Sequence, residues 1–343
     1  MLKSKLKTFI SYACFNLKLI KLPYKPKINV VELTNSCNYN CFFCPSNGKS
    51  ELIKKPISRD KTFMKFDDFR LLINKYSSLM CEVNLSLHGE SLLHPQIETF
   101  VKYLNQQKIE YVLITNGSLL SKKHSRILKK YPPKSIIFSL YTIDEDKYNK
   151  LTGGNLKNVL NNIDYFLKIK NSKTKVSIRT INIPFLENDR EEFIQYFNNK
   201  NISFDLNVLN SWAGRVDIKK IDKNTKKHIS VNKYCIEPWT RILIGCDLGV
   251  YACCNQCENP LGNLRENSLE EIWNSEKYQT IRKNILKGDY KANAMCKQCD
   301  YFSITSNVPK PSYLFFLKKD FLKRILYSLK LKKIPDLMKI KKE

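Results

Sequence analysis

Cys37, Cys41 and Cys44 follow one another with C-x3-C-x2-C spacing directly behind the apolar run Ile28-Asn29-Val30-Val31-Glu32-Leu33. Soft thiolates select iron–sulfur clusters, zinc or Cu(I). A closed [4Fe–4S] site takes four cysteines, so three leave one metal position open to another ligand. A second cysteine-rich stretch runs from Cys235 to Cys299 and ends in C-x2-C at Cys296 and Cys299. Tetrahedral zinc suits paired cysteines as well as a cluster does.

These groups need a scaffold, and the sequence alternates strand-like and helix-like segments. Short runs rich in Val, Ile and Leu at 29–33, 82–87, 111–115, 135–141, 175–181 and 203–209 read as strands buried on both faces, as in a parallel sheet. Helical segments are expected at 66–78, 95–107, 122–130, 156–170 and 187–200, with Pro95 in the first turn of the second. Six successive β-α units give a parallel, barrel-like sheet. The chemistry then collects at the carboxyl ends of the strands. Ser86-Leu87-His88-Gly89-Glu90-Ser91 follows the second strand, Thr115-Asn116-Gly117 ends the third, Ser139 lies near the end of the fourth and Arg179 lies in the fifth.

The loop Thr34-Asn35-Ser36-Cys37-Asn38-Tyr39-Asn40-Cys41-Phe42-Phe43-Cys44-Pro45, with Phe43 just before the third cysteine, resembles the signature of radical S-adenosylmethionine (SAM) enzymes. The resemblance implies a partial (βα)6 barrel and a [4Fe–4S] cluster whose open iron is chelated by the amine and carboxylate of SAM. Gly89-Glu90 resembles the family's G-G-E-P element, which lies against the SAM amine, although His88 replaces the first glycine and Ser91 the proline. Asn116 matches a T-N-G element, and Ser139 falls where the family contacts the ribose. Arg179 would hold the SAM carboxylate or the substrate. Phe43, Gly89, Glu90, Asn116, Ser139 and Arg179 are thus the expected cofactor-binding residues.

The segment from Cys235 through Gly249-Val250-Tyr251-Ala252-Cys253-Cys254 to Cys299 resembles the SPASM or twitch extension of these enzymes. Thirteen residues separate Cys235 from Gly249 and four separate Gly249 from Cys254, which fits C-x9-15-G-x4-C. The resemblance implies a closed auxiliary [4Fe–4S] cluster on Cys235, Cys254, Cys296 and Cys299. Cys257 is the substitute, and Cys246 and Cys253 are spare. The expected organisation is a basic helical segment over 1–28, the barrel over 29–220, the small cysteine-rich auxiliary-cluster domain over 221–305 and a basic amphipathic tail over 306–343.

Reductive cleavage of SAM to a 5′-deoxyadenosyl radical, followed by hydrogen abstraction from substrate, is the activity the resemblance implies. A closed second cluster suits a net two-electron oxidation because it can accept the remaining electron. The leading expectation is an oxidoreductase acting on a hydroxyl of a sugar-like or other small polar metabolite, or on a glycan. Arg179 and Asp247 are the candidate catalytic, proton-handling groups. Maturation of a ribosomal peptide and redox-neutral epimerisation are the alternatives. The peptide reading is weakened by the shortness of the segment before the first strand, and oxidation of a protein side chain by Asn255, where sulfatase-maturing relatives carry aspartate. A non-catalytic iron–sulfur or zinc protein that binds a partner is the alternative of another class. A reductase or a flavodoxin- or ferredoxin-type protein would supply the electron.

The net charge of +27 comes from 59 basic residues of which ten are arginine. Lysines scattered over every helix describe a solvated surface better than a nucleic-acid footprint. Twelve cysteines without a signal-peptide pattern point to metal ligation and a cytoplasmic setting. The tail interleaves Phe321, Ile325 and Leu329 with Lys318, Lys319, Lys323 and Arg324. Such a helix could contact the inner membrane face peripherally. Anaerobically reconstituted protein is expected to bind about eight irons in two clusters, falling to about four when Cys37, Cys41 and Cys44 are all changed to Ala. Stoichiometric zinc with negligible iron by elemental analysis would overturn that reading.

Overall fold

The computed structural model describes residues 2–222, 235–256 and 258–300. Strands β1 (Lys27–Val31), β2 (Glu82–Asn84), β3 (Glu110–Thr115), β4 (Ser135–Ser139), β5 (Lys175–Asn182) and β6 (Ser203–Val208) run parallel in chain order. Helices α2 (Phe66–Tyr76), α3 (Ile97–Gln106), α4 (Lys122–Lys130), α5 (Glu145–Thr152), α6 (Leu156–Ile169) and α7 (Arg190–Asn198) fill the crossovers. The architecture is the expected partial barrel. It stays open, with β6 at one edge of the sheet.

Alternation along the strands separates two faces. Phe138 meets Phe166 of α6, and Phe204 meets Phe193 and Phe197 of α7, so these side chains form the helix-covered core. Ser139, Arg179 and Asp205 stand side by side in register on the other face. Strand β2 stops at Asn84 because the side chain of Asn84 accepts the Ser86 N–H and turns the chain. Pro95 does not enter the first turn of α3. It precedes the N-cap Gln96, just after a short 3-10 turn at Ser91–Leu93. Helix α5 escaped the periodic reading because it is short and polar. Its marks are local: Asp144 caps its N-terminus and Gly153, at φ +72°, ends it.

The sheet does not end at β1. Strand β7 (Arg241–Ile244) pairs parallel to β1, and β8 (Gly249–Tyr251) and β9 (Gly262–Asn263) continue antiparallel, giving nine strands in the order β6-β5-β4-β3-β2-β1-β7-β8-β9. Helices α8 (Glu237–Thr240), α9 (Leu269–Trp273) and α10 (Glu276–Lys287) complete this extension. The N-terminal helix α1 (Leu2–Asn16) is shorter than the expected segment. Phe15 beyond its middle meets Trp239 edge-on at 5.0 Å, and the Trp239 indole donates to the Leu19 carbonyl at 2.8 Å. Arg282 of α10, fully buried, stacks on Trp273 and Tyr278 and donates to the carbonyls of Pro238 and Ile20. The expected tail and Cys257 lie outside the described residues.

A buried carboxylate fastens barrel to extension. Glu32, at the exit of β1, is fully buried and accepts the His88 N–H at 3.0 Å, while Arg59 pairs with it at 3.0 Å and reaches on to Asp247 at 3.4 Å. Burial alone would raise the Glu32 pKa, but the hydrogen bond from His88 and the charges of His88 and Arg59 prevail and hold it down at about 2. Its folded value lies below its ordinary 4.5, so the stabilisation is complete above about pH 4.5 and is lost as pH falls through about 2. The shift corresponds to about 3 kcal/mol. Glu32→Gln is expected to lower the unfolding temperature at pH 7 by several degrees. The difference from the parent should shrink as unfolding is followed by circular dichroism below about pH 4.5.

Candidate active site

The cysteine loop leaves β1 and folds back beneath the ends of β2 and β3. The Cys44 N–H bonds to the Cys41 carbonyl at 3.0 Å and the Gly48 N–H to the Cys44 carbonyl at 2.8 Å. Two outward donors anchor the loop to the end of α5: Asn40 N–H to the Thr152 carbonyl and Phe42 N–H to the Leu151 carbonyl. The wrapping is close. A Cβ on Gly48 would stand 2.3 Å from the Cys41 carbonyl oxygen, and one on Gly89 would stand 2.3 Å from the Thr34 carbonyl oxygen.

Burial and neighbouring charges oppose ionisation at Cys37 and Cys41. Burial, then the Glu90 and Cys44 charges, push Cys37 up to about 11, and burial followed by repulsion from Cys44 and Cys37 raises Cys41. A bound metal removes this penalty, since a coordinating thiol is deprotonated outright. Among the described residues no three potential ligands converge as around a single metal ion. A four-iron cluster does not require that, because each iron takes its own thiolate. Lys61, which sequence reasoning passed over, clasps the loop by donating to the Asn35 and Ser46 carbonyls and to Asn47 Oδ1, and its charge faces Cys44 and Cys37.

The other expected cofactor residues fall around this loop. Glu90 is buried, with one oxygen accepting from Asn116 N–H at 2.8 Å and the other from Leu92 N–H at 3.1 Å. Burial raises its pKa against the pull of those amides. Asn116 donates through Nδ2 to Asn38 of the loop and accepts from Ser118, and Gly117 beside it needs its φ of +78°. Phe43 packs edge-on against Tyr141 at 5.2 Å, and the Tyr141 hydroxyl bonds to Ser139. His88, where the motif would have glycine, donates its N–H to Glu32, and its ring Nε2 lies 3.2 Å from the Cys254 carbonyl oxygen.

Arg179 is held by Asp205, which accepts from Nε at 2.8 Å and from Nη2 at 2.6 Å. Arg179, expected as a proton-handling group, here binds a carboxylate through two hydrogen bonds. Asp205 was missed, although a carboxylate inside an apolar strand signals a partner. Asp247 sits at the turn from β7 to β8, 41% exposed, accepting from Gly249 N–H and the Tyr251 hydroxyl and facing Arg59. The network of Glu32, Arg59 and His88 was also missed, since Glu32 reads as part of the β1 run.

In the extension, Cys296 and Cys299 share one turn, closed by Cys299 N–H to the Cys296 carbonyl at 3.2 Å, and the Asn255 side chain donates to Cys299 Sγ at 3.3 Å. Burial, then Glu237, Cys296 and Cys299, raises the Cys235 pKa, and Cys296 is pushed up to about 12 by burial and Cys299. Such a crowd of mutually repelling thiols suits a cluster. Cys254 packs beside Val30, Leu243, Tyr251 and Leu87, and Cys246 is buried against Glu32.

Residues 31–197 match the radical SAM superfamily model and residues 235–300 match the iron–sulfur cluster-binding SPASM domain model. The chain is 27% identical over 151 residues to a probable GTP 3′,8-cyclase of Methanococcus maripaludis, covering 43% of this chain and 48% of that protein, about half its length. It is 21% identical over 283 residues to a SAM-dependent 2-deoxy-scyllo-inosamine dehydrogenase of Niallia circulans, covering 80% of this chain and 92% of the relative. Its fold is similar to that of Streptococcus suis SuiB bound to precursor peptide SuiA, with a TM-score of 0.61 at 17% identity over 82% of this chain and 72% of that one. The three-thiol loop on a parallel α/β sheet, and the thiol-rich extension of the same sheet, agree with both matched models: the chain belongs to the radical SAM superfamily and carries a C-terminal SPASM-type iron–sulfur domain.

Proposed function

We propose that this radical SAM enzyme dehydrogenates a hydroxyl-bearing carbon of a small polar metabolite and uses its auxiliary cluster as electron acceptor. The observation that carries the substrate class is the register Ser139, Arg179 and Asp205 on the face opposite the helix-covered core. Arg179 offers donors and Asp205 acceptors at partly exposed positions, with side chains 31% and 43% accessible. A hydroxylated ring can satisfy both. The length-wide similarity to the Niallia circulans dehydrogenase supports the same reading.

When bound, the first cluster supplies an electron that cleaves SAM to methionine and a 5′-deoxyadenosyl radical. The chain's own residues then divide the work. Cys37, Cys41 and Cys44 would hold that cluster, Lys61 and Glu90 fix the loop around it, and Arg179 with Asp205 orients the substrate carbon. Oxidation of a CH–OH group to C=O would release a hydrogen atom, a proton and an electron, the last of which an auxiliary cluster held by the extension's cysteines would accept. Asp247, a partly exposed carboxylate facing Arg59, is the group we assign to accept that proton.

Reduced enzyme is expected to form 5′-deoxyadenosine from SAM, and the Cys37/Cys41/Cys44 triple Ala variant to form none, by liquid chromatography. S-adenosylhomocysteine as the sole product would instead indicate methyl transfer. With aminocyclitols and sugars deuterated at the carbinol carbon, deuterium should enter 5′-deoxyadenosine and a carbonyl product should appear. Arg179→Met is expected to lower product formation at least about tenfold while substrate-free SAM cleavage stays within about twofold, the pattern of a lost substrate contact. Deuterium transfer from a peptide substrate alone would defeat the small-metabolite reading.

A further inference from the structure

Strand β6 is an open edge of the sheet, paired only with β5 among the described residues, and it carries a large apolar side chain into solvent. Leu206 is 55% exposed, on the face that Phe204 turns toward α7. With Ile194 of α7, also exposed, and with Leu186, Phe193 and Phe204 it lines a cleft at this edge. An apolar edge strand left bare is a site for unwanted pairing, and native folds cover it.

The rim of the cleft is acidic although the chain as a whole carries a charge of +27. Glu187, Glu191 and Glu192 are exposed. The basic side chains nearby are engaged elsewhere, Lys147 with Asp189, Lys200 with Asp164 and Arg190 with Asn182 Oδ1. Glu191 stands one turn ahead of Ile194 on α7, so a carboxylate and an exposed apolar side chain share one helix face.

The chain itself holds a matching segment. Residues 314–333 contain seven basic residues against one acidic, Asp320, and place Phe321, Ile325 and Leu329 at the i, i+4, i+8 spacing of a helical face. They lie outside the described residues, but their point of departure is fixed. Asp300, the last described residue, accepts the Ser211 N–H at 2.7 Å, three residues beyond the end of β6. The 21 residues from there to Phe321 reach up to about 70 Å, whereas Leu206 lies within about 17 Å of chain from Ser211. A segment tethered this close meets the cleft at a high effective concentration.

We propose that residues 314–333 dock in the cleft of their own chain, with Phe321, Ile325 and Leu329 on Leu206 and Ile194 and the basic residues over Glu187, Glu191 and Glu192. The open edge of the partial barrel is thereby covered. Leu206→p-benzoylphenylalanine puts a photoreactive group at the cleft in the full chain and changes only an exposed side chain. Irradiation of an equal mixture of unlabelled and nitrogen-15-labelled chains, anaerobically reconstituted, should crosslink position 206 to peptides within 314–333, read by mass spectrometry. Each crosslink should join light to light or heavy to heavy. Light-to-heavy products would give the cleft to a second copy, and crosslinks elsewhere or none would leave the segment undocked; either result overturns the proposal.

Ile325→Asp/Leu329→Asp should speed amide hydrogen exchange over 203–208 at least about tenfold, while 110–115 in β3 stays within about twofold. Glu191→Lys/Glu192→Lys should lower the crosslink yield at least about threefold, as should added salt with the parent rim. Circular dichroism checks that each variant is folded. Unchanged exchange in β6, or a yield indifferent to charge reversal, would also overturn the assignment.

Discussion

A buried carboxylate at the exit of β1 is the constraint on which the two halves of the molecule depend. Glu32 is bonded by the backbone of His88 from the β2 side and paired with Arg59, which continues to Asp247 in the turn of the extension. A charge removed from water in this way is tolerated only when its partners are fixed. The positions of the β2 loop, the loop carrying Arg59 and the β7–β8 turn are therefore mutually determined. Gly245 shows how tight the arrangement is, since a Cβ there would lie 2.8 Å from the Arg59 guanidinium.

The pairing of β7 with β1 carries the same constraint into the sheet. Because both strands run in one direction, the turn after β7 emerges on the rim where the cysteine loop leaves β1. The SAM site and the thiol-rich extension are thus two ends of one hydrogen-bonded framework. Arg282 and Trp239 seal the far side by taking carbonyls from the segment before β1.

The parallel core was legible because its strands are continuous apolar runs separated by amphipathic helices, a pattern that follows from burial on both faces. The cysteine loop was legible because its chemistry is compressed into a few adjacent residues. What escaped depended on distance in the chain. Arg179 was visible alone, but its meaning changes with Asp205, 26 residues on, and nothing local joins Glu32 to Arg59 or Asp247. Strands β7 to β9 are too short for periodicity to register. Pro95 obeyed a rule about helix starts while the helix itself began later, after a turn stabilised by the Glu90 side chain.

The anchoring of the cysteine loop on α5 bears on how the enzyme is assembled. Asn40 and Phe42 find their carbonyl partners at Thr152 and Leu151, and the ring of Tyr39 fills a space that exists only because residue 154 is glycine. Those partners are synthesised more than one hundred residues after the first cysteine. The nascent loop therefore carries its thiols without the framework that shapes them, and closing the intervening segment carries a loop-closure entropy that rises only slowly with its length. The final shape of the cysteine loop is therefore set by a contact with the end of α5, far along the chain from the thiols it orders.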